Sequence, residues 1–211
     1  MRVLIPKKTV RQILRWTRNS LLAGSASLLG YCCFVAVDAW SFQQEERVQL
    51  ARQVHARQPV TRQESPRASM LPPAAVKRVV TGDLIGNMEI PRLGVSVIVV
   101  EGTGKSTLRR AVGHIRGTGF PGQPGNTAIS GHRDTFFRPL RNIQQNDVIE
   151  LTTGQGEYRY RVISTKIVSP EDVSVLDSSA DQILTLVTCY PFYFVGAAPN
   201  RFIVRAERVV W

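Results

Sequence analysis

The chain has 211 residues and a net charge of +11, length enough for one core of ordinary size plus an appended segment. The charge is uneven: residues 1–80 hold 13 basic and 4 acidic side chains, whereas residues 81–211 hold 14 and 12. The basic excess therefore belongs to the amino-terminal third, where it lacks the aromatic interleaving or the motif of a nucleic-acid-binding face, so no nucleic-acid partner is expected.

From Asn19 to Val37 there are 19 consecutive residues without a charge, about what a helix needs to cross a ~30 Å hydrocarbon core. Trp16 and Trp40 stand near its two ends, where interfacial aromatics sit. Arg2, Lys7, Lys8, Arg11, Arg15 and Arg18 precede the run, and Asp38, Glu45 and Glu46 follow it. This positive-inside bias predicts a single-pass protein of the cell membrane. Residues 1–18 would be a cytoplasmic basic segment, residues 19–40 a signal-anchor helix, and everything beyond exported. A cleaved signal peptide is the competing reading, but Val37-Asp38-Ala39 is a poor small-x-small cleavage site. The run has no polar face, which argues against a helix of a soluble domain.

Residues 41–80 are polar and read as a linker that holds the following domain off the membrane. Ser41 to Gln58, rich in Gln, Glu, Arg and Leu, extends the membrane helix outward. Pro59 stops it, and Pro66, Pro72 and Pro73 keep the rest extended. Arg47, Arg52, Arg57, Arg62 and Arg67 recur every five residues, a period that matches no helix or strand face. They read as a solvated spacer or as a contact with anionic surface polymers.

From Thr81 the texture changes to short strands separated by turn signals. Strands are predicted over Leu84–Ile90, Val95–Val100, Asn126–Gly131, Val148–Thr152 and Tyr158–Ile167. Two more follow, at Ile183–Thr188 and from Phe202 onward, around a loop holding Pro191, Gly196, Pro199 and Asn200. Helical signal is confined to Thr107–Val112 and a turn near Thr135–Leu140. Residues 81–211 thus form a mainly β domain, an antiparallel barrel or sandwich.

If the last two strands pair antiparallel, Cys189 and Arg201 at the mouths of their loop become neighbours. A thiol beside a guanidinium suits a thiolate or an oxyanion site. Cys32 and Cys33, adjacent inside the apolar run, read as small hydrophobes. Cys189 then has no disulfide partner in the folded region, which leaves it a reactive thiol or a buried structural residue. His132 follows an apolar strand and Gly131, which lets the backbone turn and expose the ring; a polar strand cap is the plainer alternative. His55 lies in the linker, and no spacing of Cys and His forms a metal site. Two decoys fail on their patterns. Gly104-Lys105-Ser106 lacks the Gly of a phosphate loop, because Val99 stands there, and Lys105 reads as a helix start. Ser130 lacks the leading Gly of a nucleophile elbow.

Gly113-His114-Ile115, then Pro121-Gly122-Gln123-Pro124-Gly125-Asn126, and Ser130-Gly131-His132-Arg133-Asp134-Thr135-Phe136 together resemble the sortases. So does Leu184-Thr185-Leu186-Val187-Thr188-Cys189 with Arg201 after the loop. The Thr-Leu-x-Thr-Cys form and the single amino-terminal anchor look most like class D, and the resemblance runs from Thr81 to Val210. It implies a closed eight-stranded sortase-type β-barrel with short helices and a catalytic Cys189, His132 and Arg201. The implied chemistry is transpeptidation: Cys189 attacks the carbonyl of a Thr in a carboxy-terminal sorting signal and forms a thioester. His132 protonates the leaving amine and then deprotonates an incoming one, while Arg201 binds substrate backbone or oxyanion. Thr188 beside the nucleophile would orient substrate, and His114 would be structural.

The implied partners are sorting-signal-bearing surface proteins and an amine acceptor, either a cell-wall precursor or a protein Lys. A free thiol at pH 7 is only ~3% thiolate, so such a pair works by a lowered thiol pKa or as a minor reverse-protonated fraction. Pilin-polymerising sortases carry an Asp-Pro-aromatic lid; residues 41–80 contain no Asp-Pro, so none is expected. Some sortases use calcium, and Glu171, Asp172 and Asp177 could suggest it, but loop carboxylates are ordinarily just solvated and no cofactor is expected. Two rival readings remain open. One is a cysteine peptidase whose thioester is resolved by water. The other is a non-catalytic surface-assembly module.

Overall fold

The computed structural model describes residues 7–57, 79–194 and 196–209. The proline-spaced stretch with Pro59, Pro66, Pro72, Pro73, Arg62 and Arg67 lies outside the described residues. The chain divides into two compact units, Met1–Ser41 and Phe42–Trp211. A long helix, α1 (Lys7–Arg57), supplies the whole described part of the first unit and opens the second. Between Arg11 and His55 it is long and apolar enough to cross a membrane, and its most apolar window is unburied.

The second unit is a closed barrel. Its strands are β1 (Leu84–Ile90), β2 (Val95–Glu101), β3 (Val112–His114), β4 (Gly125–Ser130), β5 (Val148–Thr153), β6 (Gly156–Val168), β7 (Gln182–Tyr190) and β8 (Asn200–Val209). Around the barrel the order is β1-β2-β3-β4-β7-β8-β6-β5, and β5 pairs back onto β1. Two neighbouring pairs, β2 with β3 and β4 with β7, are parallel; the others are antiparallel. The mainly β architecture with eight strands is therefore present. Seven of those strands are the predicted ones, with ends shifted by a residue or two. The eighth, β3, lies where helix was expected to run to Val112: the short α2 (Lys105–Arg110) ends earlier, and Ala111 is already extended. Lys105 does begin that helix.

The barrel interior is filled by alternate residues, among them Val97 and Val99 of β2, Ile149 and Leu151 of β5, and Leu184 and Leu186 of β7. The period-2 rule explains why one face of each strand carries them. In β2 the outer face is buried as well, at Ile98 and Val100. A strand apolar on both faces needs a cover outside the barrel as well as a core within. Phe42 of α1 packs there with Leu84 and Ala111, and Leu50 is buried further along the same helix. Gln43 fixes the contact at both ends of its amide: its Nε2 donates to Arg110 O (2.6 Å), and Ile98 N–H donates to its Oε1 (2.9 Å). Arg47, the first of the evenly spaced arginines, donates through Nη2 to Ser96 O (2.8 Å) rather than standing free in solvent. Arg110 lies over the Phe42 ring.

Candidate active site

β7 organises the site. β4 runs parallel to it on one side and β8 antiparallel on the other. The last residues of β4 and β7 and the first of β8 therefore meet at one end of the barrel. Ser130 is the partner of Val187, which brings His132, two residues on, level with Cys189. Cys189 is itself the cross-strand partner of Arg201. Sequence composition alone puts the thiol and the guanidinium at two loop mouths; the strand register makes them opposite neighbours. His132, Cys189 and Arg201 all line one open cavity of about 320 Å³, with Arg133 and Asp134 on one wall and Gly196 to Ala198 on the other.

The turn after β4 is locked from below. Gly131 N–H donates to Val187 O (3.1 Å), extending the parallel ladder by one residue. Phe137 N–H returns to His132 O (3.0 Å), which closes the turn. The buried Phe137 ring sits under Gly131, so a Cβ there would stand 2.7 Å from a ring carbon. Gly131 does not adopt a left-handed φ. It is glycine because the ring occupies the space, not because the backbone must twist. His132 is exposed and Cys189 half-buried.

Arg201 is half-buried, and its Nη1 donates to Asn200 O (3.0 Å) and Ala198 O (3.4 Å) of its own loop. At the base of that loop Phe192 meets Phe202 edge-on at 5.3 Å and Tyr190 at 6.1 Å, anchoring both mouths. A nucleophilic sulfur, an imidazole and a planar cation around one open cavity can attack a carbonyl, move a proton and bind the resulting oxygen charge.

Thr188 is not among the residues lining the cavity. Its side chain is buried, and its hydroxyl donates to Gly131 O at 2.7 Å, so it ties β7 to the turn carrying His132. His114 lies apart, nine-tenths or more buried at the end of β3. Its Nδ1 donates to Glu101 Oε2 at 2.7 Å, its Nε2 is 2.9 Å from Gly119 O, and its ring stacks on Phe120.

The loop carboxylates are engaged locally. Ser169 donates to Glu171 and holds its carboxyl below the ordinary value; Ser174 does the same for Asp172, which also faces Lys166 at 3.9 Å. Among the described residues no group of three or more His, Cys, Asp or Glu could hold a metal ion. Sequence reasoning overlooked Arg133, whose Nη2 donates to Phe194 O (2.6 Å) and Gly196 O (2.9 Å) across the cavity. Its place next to His132, together with the aromatic run Tyr190 to Phe194, was the available signal.

These features coincide with known proteins. A family model described as the sortase domain matches residues 88–209, more than half of the chain. Sortase D of Bacillus subtilis is 38% identical over 130 residues, covering 61% of this chain and 66% of that protein. Sortase A of Listeria monocytogenes is 32% identical over 110 residues, covering 50% and 49%. The chain thus spans less than two thirds of either curated relative. Among solved structures, a Clostridium perfringens Sortase D5 transpeptidase superposes with a TM-score of 0.58 at 30% identity, covering 63% of this chain and 82% of that one. Sortase A from Corynebacterium diphtheriae gives 0.58 at 29%, covering 62% of each. The chain belongs to the sortase family. The resemblance to class D agrees with the Sortase D relative.

Proposed function

We propose that this protein is a membrane-anchored cysteine transpeptidase that cleaves a carboxy-terminal sorting signal after Thr and joins the protein to an amine at the cell surface. One observation carries the reading: His132, Cys189 and Arg201 line a single open cavity at one end of a sortase-family barrel. In this mechanism Cys189 Sγ, as thiolate, adds to the Thr carbonyl carbon. Arg201 stabilises the oxygen charge that develops, and His132 gives a proton to the departing amine as the peptide C–N bond breaks. The acyl group now sits on sulfur as a thioester. An incoming amine loses a proton to His132, attacks the same carbon, and releases Cys189 as thiolate. Thr188 acts through Gly131 on the turn of His132, in place of the direct substrate contact expected of it.

The anchoring part of the proposal rests on the apolar helix. Residues 1–18 are cytoplasmic, residues 19–40 span the membrane, and the barrel of residues 81–211 works outside, joined through residues 41–80. The partners are sorting-signal-bearing surface proteins and a cell-wall precursor or protein Lys that supplies the amine.

The test is to incubate the full-length protein with sorting-signal peptides and amines and to follow it by mass spectrometry. A thioester on Cys189 and an amide-linked product are expected, and Cys189→Ala should give neither while keeping its unfolding midpoint. Resolution by water alone across many amines would make the protein a peptidase. A folded protein that forms no thioester with any sorting-signal peptide would make it a non-catalytic module.

A further inference from the structure

We propose that Arg133 is a positioning residue for Arg201: it holds the β7–β8 loop, on which Arg201 rests, against the turn that carries His132. This inference rests on the transpeptidase reading for its kinetic consequence but not for its structural one.

The loop between Tyr190 and Asn200 is anchored at its base by Phe192 against Tyr190 and Phe202. Among the described residues its own backbone contributes one hydrogen bond, from Phe194 N–H to Pro191 O at 3.3 Å. Arg133 reaches it from the opposite wall. Both hydrogens of Nη2 are spent on this loop, one on Phe194 O at 2.6 Å and one on Gly196 O at 2.9 Å, and the guanidinium lies 5.9 Å from the Phe194 ring centre. Gly196 has φ +104°, a conformation that suits glycine. Arg141, further along the same segment, stacks at 5.4 Å on Tyr193. Two cations from the chain after β4 thus grip two consecutive aromatics of the β7–β8 loop.

The far half of that loop is where Arg201 is seated. Its Nη1 donates to Ala198 O and Asn200 O, two and four residues beyond the carbonyl that Arg133 holds. One guanidinium fixes the loop, and the loop fixes the other guanidinium. Gly196, Ala197, Ala198 and Arg133 are also walls of the cavity, so the clasp sets the gap between His132 on one side and Cys189 and Arg201 on the other. A planar fork that donates twice and stacks at once is not replaced by an ammonium. A misplacement of about 1 Å at a reacting site costs up to roughly 10²-fold in rate.

The experiment compares the full-length wild type with Arg133→Ala, Arg133→Lys, Arg201→Lys and the double variant Arg133→Ala/Arg201→Lys, all in detergent micelles. Amide hydrogen exchange is the readout that needs no activity. Arg133→Ala should speed exchange in residues 192–201 while β1 to β6 and the unfolding midpoint stay as in wild type. In transpeptidation with a sorting peptide and an amine, kcat/KM should fall about tenfold to a hundredfold, mostly in kcat. Arg133→Lys should recover part of it. In the Arg201→Lys background the same Arg133→Ala change should cost less than about threefold, because its route of action is already impaired. Unchanged exchange in the loop overturns the proposal, as does faster exchange spread over the barrel strands. An equal loss in both Arg201 backgrounds overturns it too and makes Arg133 an independent substrate contact. If the wild type itself forms no product, the transpeptidase reading fails, and the exchange result alone decides whether Arg133 holds the loop.

Discussion

Two Gly-His pairs stand on adjacent strands of this barrel and have opposite fates. Gly113-His114 ends β3 and Gly131-His132 follows β4, and the two strands pair antiparallel, His114 opposite Ile129. His114 is 1% exposed and spends both ring nitrogens on neighbours, Glu101 on one side and Gly119 on the other. His132 is exposed, and its ring carries no hydrogen bond among the described residues. Both glycines are there because a side chain would collide. A Cβ on Gly113 would meet Gly102 O at 2.2 Å, and one on Gly131 the Phe137 ring at 2.7 Å. The same dipeptide therefore makes a strut where its nitrogens are committed and, where they are free, leaves a ring available for the proton transfer proposed for it. Availability separates the two, not residue type.

The largest effects come from exchanging those fates. His132→Ala should lower turnover by about 10²–10⁴-fold, the ordinary worth of a general acid–base group, with no change in urea midpoint. His114→Ala takes a hydrogen-bond partner from the buried Glu101 and leaves a hole, while Arg116 still faces that carboxylate at 3.7 Å, so it should cost about 1–3 kcal/mol of stability. The fraction that stays folded should turn over substrate near the wild-type rate. Paired denaturation and initial-rate measurements decide it. An inactive but fully stable His114→Ala, or an unfolded His132→Ala, would reverse the assignment of strut and proton carrier.

Gly131→Ala should fall between the two classes, because it acts on the turn rather than on the imidazole. The Phe137 ring is fully buried and cannot swing aside without disturbing the core. Overpacking of this kind costs about 1–3 kcal/mol. His132 should move with the turn, so activity should drop as well. Phe137→Leu in the Gly131→Ala background makes room and should restore part of both quantities. Full activity in Gly131→Ala alone would mean that the turn tolerates displacement.

Much of the barrel was legible because its strands follow period 2 and its turns hold Gly, Pro and Asn. The paired mouths, Cys189 and Arg201, were legible for the same reason. β3 was not. Its three residues are too few for any period to show, and they follow α2 with only Ala111 between. Thr188 was assigned by adjacency to Cys189, yet neighbours along a strand point to opposite faces, which turns its hydroxyl to Gly131. Val97 to Val100, four apolar residues without alternation, carried a signal for the cover over β2 that reading them simply as a strand did not use. Its provider, α1 from Phe42 onward, was hidden because its exposed face is polar, and Gln43 looks like any solvated glutamine.

That cover gives the next prediction. A chain of residues 79–211 should be less stable than one of residues 42–211. It uncovers Ile98 and Val100, worth roughly 1.5–3 kcal/mol for each apolar side chain, and leaves Ile98 N–H and Arg110 O without Gln43. Urea midpoints measure it, and equal midpoints would show that the helix is a passenger. Turnover per folded molecule should change less than stability, because none of the cavity-lining residues belongs to α1.

The smallest effect concerns a carboxylate that, like the His114 ring, is spent on its surroundings. Asp147 lies just before β5, buried, and accepts from Arg92 through both of its oxygens and from Gln144 N–H at 2.7 Å. The Arg92 hydrogen bond is the main cause that holds its carboxyl below the ordinary value of 3.8; burial opposes it, and the Gln144 N–H adds to it. A carboxyl lowered in the folded state contributes stability that is fully present above the unfolded pKa. That contribution is lost as pH falls through the lower, folded value. Acid should therefore weaken the wild-type barrel from about pH 4 downward. Asp147→Asn should start less stable at pH 7 and show a shallower decline over that range. Because the Arg92 side chain is 43% exposed and screened by solvent, the difference should be modest and should shrink in salt. Activity at pH 7 should be untouched, since neither residue lines the cavity. Thermal midpoints from pH 2 to pH 7 for both proteins provide the measurement. Parallel acid profiles would mean that Asp147 gains nothing from Arg92 in the folded state.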